Sequence, residues 1–366
     1  MHRFSFKLFK ITCISLLLFL GLIECVTPVD FPVDMVGGLL VVSGQISTIS
    51  DQNYVSLGTT ANTERLPFPI SGASVTLHDD KGKRIDYIED RLQPGLYKMT
   101  GIVGVAGTSY HIEIKLPNGK VYQSIPEKMP EPAVLDSTYY EIVEEETTDE
   151  EGIIATKPVL KVYSNSTIPT NSNYFLQWKV EETFKLSPTD FPDPFGRIPP
   201  PCFISQNADP QRIALLETRA FNTKKINRQL LASRIIDWSF LERHYFTTYQ
   251  SAITNEAYDY LRKVNILANQ VGSIFDTPPA KITGNIINSN DASEKIFGFF
   301  QASNQTQARF YVLPDYLPFK ILNGKCDYKG DFNGNTLDGF NPSNYPARCI
   351  NCINVRNSSY ERPFWF

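Results

Sequence analysis

The stretch Tyr110-His-Ile-Glu-Ile-Lys-Leu-Pro-Asn-Gly-Lys-Val-Tyr-Gln-Ser124 decides the fold of the first part of the chain. Apolar and polar residues alternate from Tyr110 to Leu116, so successive side chains leave an extended strand on opposite faces and one face is apolar. Asn118-Gly119 then supplies the backbone freedom of a two-residue hairpin turn, and Val121-Tyr-Gln-Ser124 is the returning strand. The same grammar recurs upstream. Ala73-Ser-Val-Thr-Leu-His78 alternates and meets the turn Asp79-Asp-Lys-Gly82, and Pro94-Gly-Leu-Tyr97 turns into another strand. Asn53-Tyr-Val-Ser-Leu57 alternates, and Leu39-Leu-Val-Val42 is a short apolar run suited to a buried strand. Six or seven short strands at this spacing predict a β-sandwich domain over residues 36–134.

Residues 136–366 read as a larger β-rich domain with one clear helix. Lys157–Tyr163, Tyr174–Glu181, Arg212–Thr218 and the aromatic stretch Phe240–Tyr249 carry strand patterns; strand structure resumes at Lys281–Ile287, Ile296–Ala302 and Ala308–Leu313. The helix spans 254–271. Thr254 caps it, Glu256 favours its N-terminus, and Ala257, Tyr260, Leu261, Val264, Leu267, Ala268 and Val271 make one apolar stripe. Gly272 stands where a helix stop belongs. From Pro314 onward the chain is rich in loop residues.

The first 25 residues read as a signal peptide. Arg3, Lys7 and Lys10 give the positive start, and Ile11–Ile23 is an apolar run too short to span a bilayer, which takes about 20 residues. It stops at Cys25. Leu22-Ile23-Glu24-Cys25 resembles a bacterial lipobox, in which the cysteine is acylated; Leu22 fits that pattern and Glu24 departs from it. A cleaved soluble signal and an uncleaved anchor are the alternatives. Residues 26–35, broken by Pro28 and Pro32, then serve as a tether. Export puts Cys202, Cys326, Cys349 and Cys352 in an oxidising compartment, where an even number favours disulfides. A bridge across two residues closes a tiny ring and constrains the unfolded chain little, whereas long-loop bridges constrain it more. We therefore expect Cys202 and Cys326 each to bridge to one of the pair Cys349 and Cys352. The alternative joins Cys349 to Cys352 and Cys202 to Cys326; a redox pair or a four-cysteine zinc site is the further reading of Cys349-Ile-Asn-Cys352.

The formal net charge is −4 and no basic run occurs, so no nucleic-acid footprint is present. Seven carboxylates between Glu141 and Glu151 read as a solvated hairpin loop. His78, His111 and His244 are isolated in strand patterns, and no zincin, nucleophile-elbow, P-loop or dinucleotide motif occurs. No catalytic residue and no cofactor is assigned. Asp331, Asn333, Asn335 and Asp338 suggest a calcium loop, but Thr336 stands where a hand-type loop needs glycine, so an Asn/Gly-rich surface loop is favoured and no metal is assigned.

Several phrases carry a resemblance. Gly72–Ser124 is similar to the Ig-like, prealbumin-like sandwiches found as modules of carboxypeptidases and at the front of outer-membrane transporters, a likeness of fold and not of chemistry. Gly272-Ser-Ile-Phe-Asp-Thr-Pro-Pro-Ala280, Gly284-Asn285 and Gly298-Phe-Phe300 come in that order, followed by Cys349-x-x-Cys352 and Pro363-Phe-Trp365. With the "SGASVTL" and "PGLY" phrases, they resemble the Bacteroidota lipoproteins of domain of unknown function family 4249. Two departures are Glu24 and the Ile-Asn-Val-Arg-Asn run after the cysteine pair, where the family usually has glycine. The resemblance implies an outer-membrane lipoprotein, at the cell surface or on the periplasmic face, often encoded beside TonB-dependent transporters, with no known reaction. Asp136-Ser137-Thr138 resembles the short O-glycosylation signal of Bacteroidota, which makes Ser137 the candidate acceptor. The expectation is therefore a binding or accessory partner of an outer-membrane β-barrel transporter rather than an enzyme. A freestanding glycan- or peptide-binding adhesin is the alternative, and an exported hydrolase the third.

Overall fold

The computed structural model describes residues 38–60, 68–148, 154–169, 173–187, 200–219, 224–269, 282–321 and 347–366. The protein is mainly β, as the alternation predicts, and its strands form two stacked-sheet bodies. The first uses β1 (Leu40–Ser47), β2 (Tyr54–Thr59), β3 (Phe68–Pro69), β4 (Ser74–Asp79), β5 (Arg84–Glu89), β6 (Leu96–Lys98), β7 (Ser109–Lys115), β8 (Val121–Ser124) and β9 (Glu127–Lys128). β1, β2 and β6 form one layer and β4, β7 and β8 the other, with β5 paired to both β4 and β6. The turns fall where the sequence places them. Gly82, Gly95 and Gly119 adopt φ of 83°, 78° and 86°, a left-handed region that side chains with a Cβ resist. Val42, Val55, Leu57, Val75, Leu77, Ile112, Ile114 and Tyr122 fill the space between the layers.

The second body holds β10 (Val134–Thr148), β11 (Ile154–Thr167), β12 (Phe175–Leu186), β13 (Cys202–Asn207), β14 (Ala214–Glu217), β15 (Lys225–Ile235), β16 (His244–Ile253) and the helix α1 (Asn255–Ala268). Its three-stranded sheet β10-β11-β15 faces a sheet built on β12 and β16. Leu160, Val162, Leu176, Trp178, Phe240 and Phe246 are buried between them. Thr254 caps α1 as expected, its Oγ1 accepting from Ala257 N at 3.1 Å. The regular helix ends at Ala268, and the predicted Val271 and Gly272 lie outside the described residues. Residues 238–240 form a 3-10 turn, so the aromatic strand begins at His244 rather than Phe240.

Two later strands rejoin the first body. β17 (Ile286–Asn288) pairs with β8, and β18 (Phe297–Val312) pairs first with β1 and then with β16. The parallel partnership with β1 runs to Ser303, and the antiparallel one with β16 starts at Asn304. One sixteen-residue strand thus belongs to both bodies. β19 (Ser358–Ser359) closes the far edge against β13. The carboxylates Glu141, Glu144, Glu145 and Glu146 correct part of the loop expectation: they lie on β10, where Glu145 pairs with Lys161 and Glu141 with Arg228, while Asp149, Glu150 and Glu151 lie outside the described residues. Among the described residues no helix is long and apolar enough to cross a membrane.

Candidate functional site

The outward face of the β12-β16-β18 sheet is lined by residues at period two. Antiparallel register sets Thr183, Tyr245 and Tyr311 in one row and Glu181, Thr247 and Arg309 in the next. The C-terminal segment folds back over these rows. Trp365 and Phe366 meet Tyr245 at ring-centroid distances of 5.3 and 4.9 Å, and Phe366 also meets Phe203 at 4.9 Å. Arg309 lies over the Trp365 ring at 3.6 Å and donates from Nε to Thr247 Oγ1 at 2.7 Å. Arg243 lies over Tyr311 at 5.0 Å and donates to the Tyr245 hydroxyl at 3.3 Å. The result is a continuous Arg–Tyr–Tyr–Trp–Arg row. Among the described residues neither arginine has a carboxylate within ion-pair distance. Tyr311 is 43% exposed and Phe364 99%. Stacked guanidinium and aromatic groups with open faces are recognition chemistry: planar, weakly hydrated and able to bind anions.

The most tightly linked ionisable groups lie beneath this face, sealed from solvent. Glu182 Oε2 accepts from Arg234 Nε at 2.7 Å and faces His244 Nε2 at 3.0 Å; Oε1 accepts from Gln206 at 2.7 Å. His244 Nδ1 faces the Ser239 carbonyl at 3.2 Å, and its ring is stacked on Phe240 at 3.9 Å and on Phe184 at 5.1 Å. Burial opposes the charge on Glu182, but the His244 hydrogen bond and the Arg234 charge outweigh it and hold the carboxyl below its usual range. Glu182 is 1% and His244 0% exposed, so no substrate reaches either. The network ties β12, β13, β15 and β16 together, and a buried charge set of this kind is stable only when every member is satisfied.

A second buried acid sits where the two bodies meet. Glu127 is 4% exposed and accepts from the Thr254 hydroxyl. Burial pushes its carboxyl up to about 7, helped by Glu256 and opposed by the hydrogen bonds from Thr254 and Asn285. A recess of about 380 Å³ opens nearby, lined by Met129, Glu131, Tyr174, Phe175 and Thr254. Another, of about 540 Å³, is lined by Leu241, Asp315, Leu317, Phe319 and Lys320. The titratable side chains in their linings are Lys128, Glu131 and Tyr174 in the first and Asp315 and Lys320 in the second.

Of the residues singled out from sequence, Cys202 and Cys352 bridge, with Cα atoms 5.8 Å apart. Cys349 is itself in a disulfide, so the direct Cys349–Cys352 pairing does not occur. Cys326 and Cys25 lie outside the described residues, as do Asp331, Asn333, Asn335 and Asp338. Among the described residues no cluster of three or more His, Cys, Asp or Glu is arranged to hold a metal. Ser137 is exposed, follows a β-bulge and accepts from Asn165 Nδ2 at 3.0 Å. His78 and His111 stack on each other at 4.8 Å across β4 and β7. Sequence reasoning missed the arginine–aromatic row. Its signal was present as two Arg-x-Tyr pairs, Arg243-His-Tyr245 and Arg309-Phe-Tyr311, whose period-two spacing puts both members on one strand face.

A family model described as a domain of unknown function, DUF4249, matches residues 26–309. No curated protein matches the chain.

Proposed function

Because the chain belongs to the DUF4249 family, we propose that it is an outer-membrane-anchored lipoprotein, acylated on Cys25, that serves as a binding partner of a TonB-dependent outer-membrane transporter. The apolar run ending at Cys25 supports the anchor. The observation that carries the binding role is the contrast between the two charge systems. Glu182 and His244 are sealed in the core with the half-buried Arg234 at its margin, whereas Arg243, Tyr311 and Phe364 are exposed. Recognition groups at the surface with titratable groups locked away suit a partner-binding role better than hydrolysis, which needs acid and base groups open to substrate.

Affinity purification of the full chain from detergent-solubilised outer membranes tests the reading. Co-purification of a β-barrel supports it, and recovery of the protein alone counts against it. The exposure of Tyr311 and Phe364 also favours a second reading, a freestanding glycan- or peptide-binding adhesin. Glycan-array binding in a protein that recovers no barrel would decide for it.

A further inference from the structure

Among the described residues β18 has an edge with no ladder partner past Ser303, although β10 packs against the strand, and its backbone geometry identifies which groups face that edge. Along a strand the N–H and C=O of one residue point the same way, and those of the next point the opposite way. Phe300 directs its N–H and C=O at the Asn285 side chain, with both contacts at 2.8 Å. Gln305 directs its pair at Thr48 Oγ1, at 2.8 and 2.9 Å, just past the end of β1. Even-numbered residues therefore point toward Asn285 and then β16, and odd-numbered residues point toward β1. β1 stops at Ser47, opposite Ser303. Gln307, Arg309 and Tyr311 thus turn three N–H and three C=O groups to a side where, among the described residues, no strand pairs. Exposure agrees: residues 298–305 of β18 are buried, whereas 306–311 are half-buried or exposed.

Side chains flank this edge on both faces. Arg309 and Tyr311 lie on the outer face with Arg243 beside them. On the inner face Phe310 is only half-buried and stacks on Tyr140 at 5.7 Å. An open edge is a template for another strand unless charge or proline blunts it, and proline enters only after Val312, at Pro314. Both guanidiniums near the edge lack carboxylate partners among the described residues.

We infer that the edge of β18 from Gln307 to Tyr311 takes an extended acidic segment of a partner protein as an added strand. Its acidic side chains meet Arg309 and Arg243 on the outer face, and its alternate apolar side chains cover Phe310 on the inner face. The inference deepens the transporter-partner reading by naming where and how the partner's segment docks.

The test uses the full chain in detergent and two fluorescein-labelled peptides, one alternating valine with glutamate and one alternating valine with lysine. Gln307→Pro removes one edge N–H without touching the ladder to β16, and a proline is tolerated at such a position. Arg243→Glu reverses one exposed charge. We expect the glutamate peptide to bind at least tenfold tighter than the lysine peptide, and progressively more weakly as salt rises. Gln307→Pro should weaken it at least tenfold with an unchanged Tm, and Arg243→Glu should erase or reverse the preference. Equal binding of the two peptides overturns the inference, as does full binding by a folded Gln307→Pro variant. A dimer that Gln307→Pro converts to monomer assigns the edge to a second copy and also overturns it. So does binding of an acidic oligosaccharide at the arginines that excludes the peptide and ignores Gln307→Pro. Purification from outer membranes separates the two levels. If wild type and Gln307→Pro recover the same barrel equally, the docking edge fails and the partnership stands. If neither recovers a barrel while peptide binding remains edge-dependent, the edge stands and the transporter reading fails.

Discussion

At the scale of single residues, Gly298 and Glu127 make opposite demands on the junction. Gly298 has φ of 118°, and a Cβ built there would overlap the Val42 carbonyl oxygen; a Cβ on Gly284 would overlap the carbonyl oxygen of Gly298. Three backbones approach so closely that only glycine fits. We expect Gly298→Ala to cost at least about 3 kcal/mol, read by chemical denaturation, because strain and backbone overlap add. A loss under about 1 kcal/mol would refute the close approach. Glu127 is tolerated because it holds its proton. Its folded-state carboxyl titrates at about 7 against an ordinary value of 4.5. The native state therefore binds the proton more tightly than the unfolded chain does. This contribution to stability is complete below pH 4.5 and is lost as pH rises through 7. Glu127→Gln keeps an oxygen for the Thr254 hydroxyl and cannot ionise. We expect it to flatten that slope and to be more stable than wild type at pH 8 by up to about 3 kcal/mol. An unchanged slope between pH 5 and pH 8 would assign it to other groups.

At the scale of elements, α1 depends on its cap. Thr254 accepts from Ala257 N and donates to Glu127, so Thr254→Ala should cost about 1–2 kcal/mol while Thr254→Ser should recover most of it. A Thr254→Ser variant as unstable as the alanine one would place the effect elsewhere. The cap and the first part of the apolar stripe were legible because helix periodicity and capping chemistry are local: Ala257, Tyr260 and Leu261 pack with Ile253 and Phe299, whereas Ala268 of the predicted stripe is exposed. The hairpins at Gly82 and Gly119 were legible for the same reason. β18 was not legible as one strand. Its middle, Ser303-Asn-Gln-Thr306, is polar and reads as a break between two apolar strands. These side chains are nonetheless largely buried, and the junction supplies some of their partners: Gln305 Nε2 donates to Ser251 Oγ at 2.9 Å, and Asn304 Nδ2 to the Pro130 carbonyl at 3.3 Å, whereas Ser303 Oγ, Gln305 Oε1 and Thr306 Oγ1 are buried without a hydrogen-bond partner among the described residues. Those partners are distant in sequence, and no local pattern announces them. The acidic run misled in the opposite direction. Four carboxylates in a row of six residues suggest a loop, yet β10 is held by its ladder to β11, and its cationic partners Lys161 and Arg228 come from neighbouring strands. The Gly284-Asn285 and Gly298-Phe-Phe300 phrases, which carry the family resemblance, now have a physical basis. The glycines allow the close approach, and the Asn285 amide stands in for a missing strand against Phe300.

At the scale of the whole molecule, the C-terminal segment is held by covalent and aromatic contacts together. The Cys202–Cys352 bridge spans 150 residues, and its sulfurs are buried among Phe184, Leu186 and Ile204. β19 then pairs with β13, and Trp365 and Phe366 lie across Tyr245. A segment with so little regular structure cannot order itself through backbone pairing alone. Chain-entropy arguments give a bridge over this span up to about 5 kcal/mol, an upper figure because residual structure in the unfolded chain reduces it. We expect Cys202→Ser/Cys352→Ser to lower stability by several kcal/mol and to release the segment from the sheet, so that Trp365 emission shifts to the red. Non-reducing peptide mapping should recover Cys202 joined to Cys352. Cys349 is bridged to neither of these, so, on the proposal that the leader is removed and Cys25 carries lipid, the same map should join it to Cys326. Both Cys202 and Cys352 are fully buried, so reductant alone should leave their bridge intact in the folded protein and break it only above the unfolding midpoint. Rapid reduction of the folded protein, or a free Cys326 beside a bridged Cys349, would contradict this pairing and the clamp built on it.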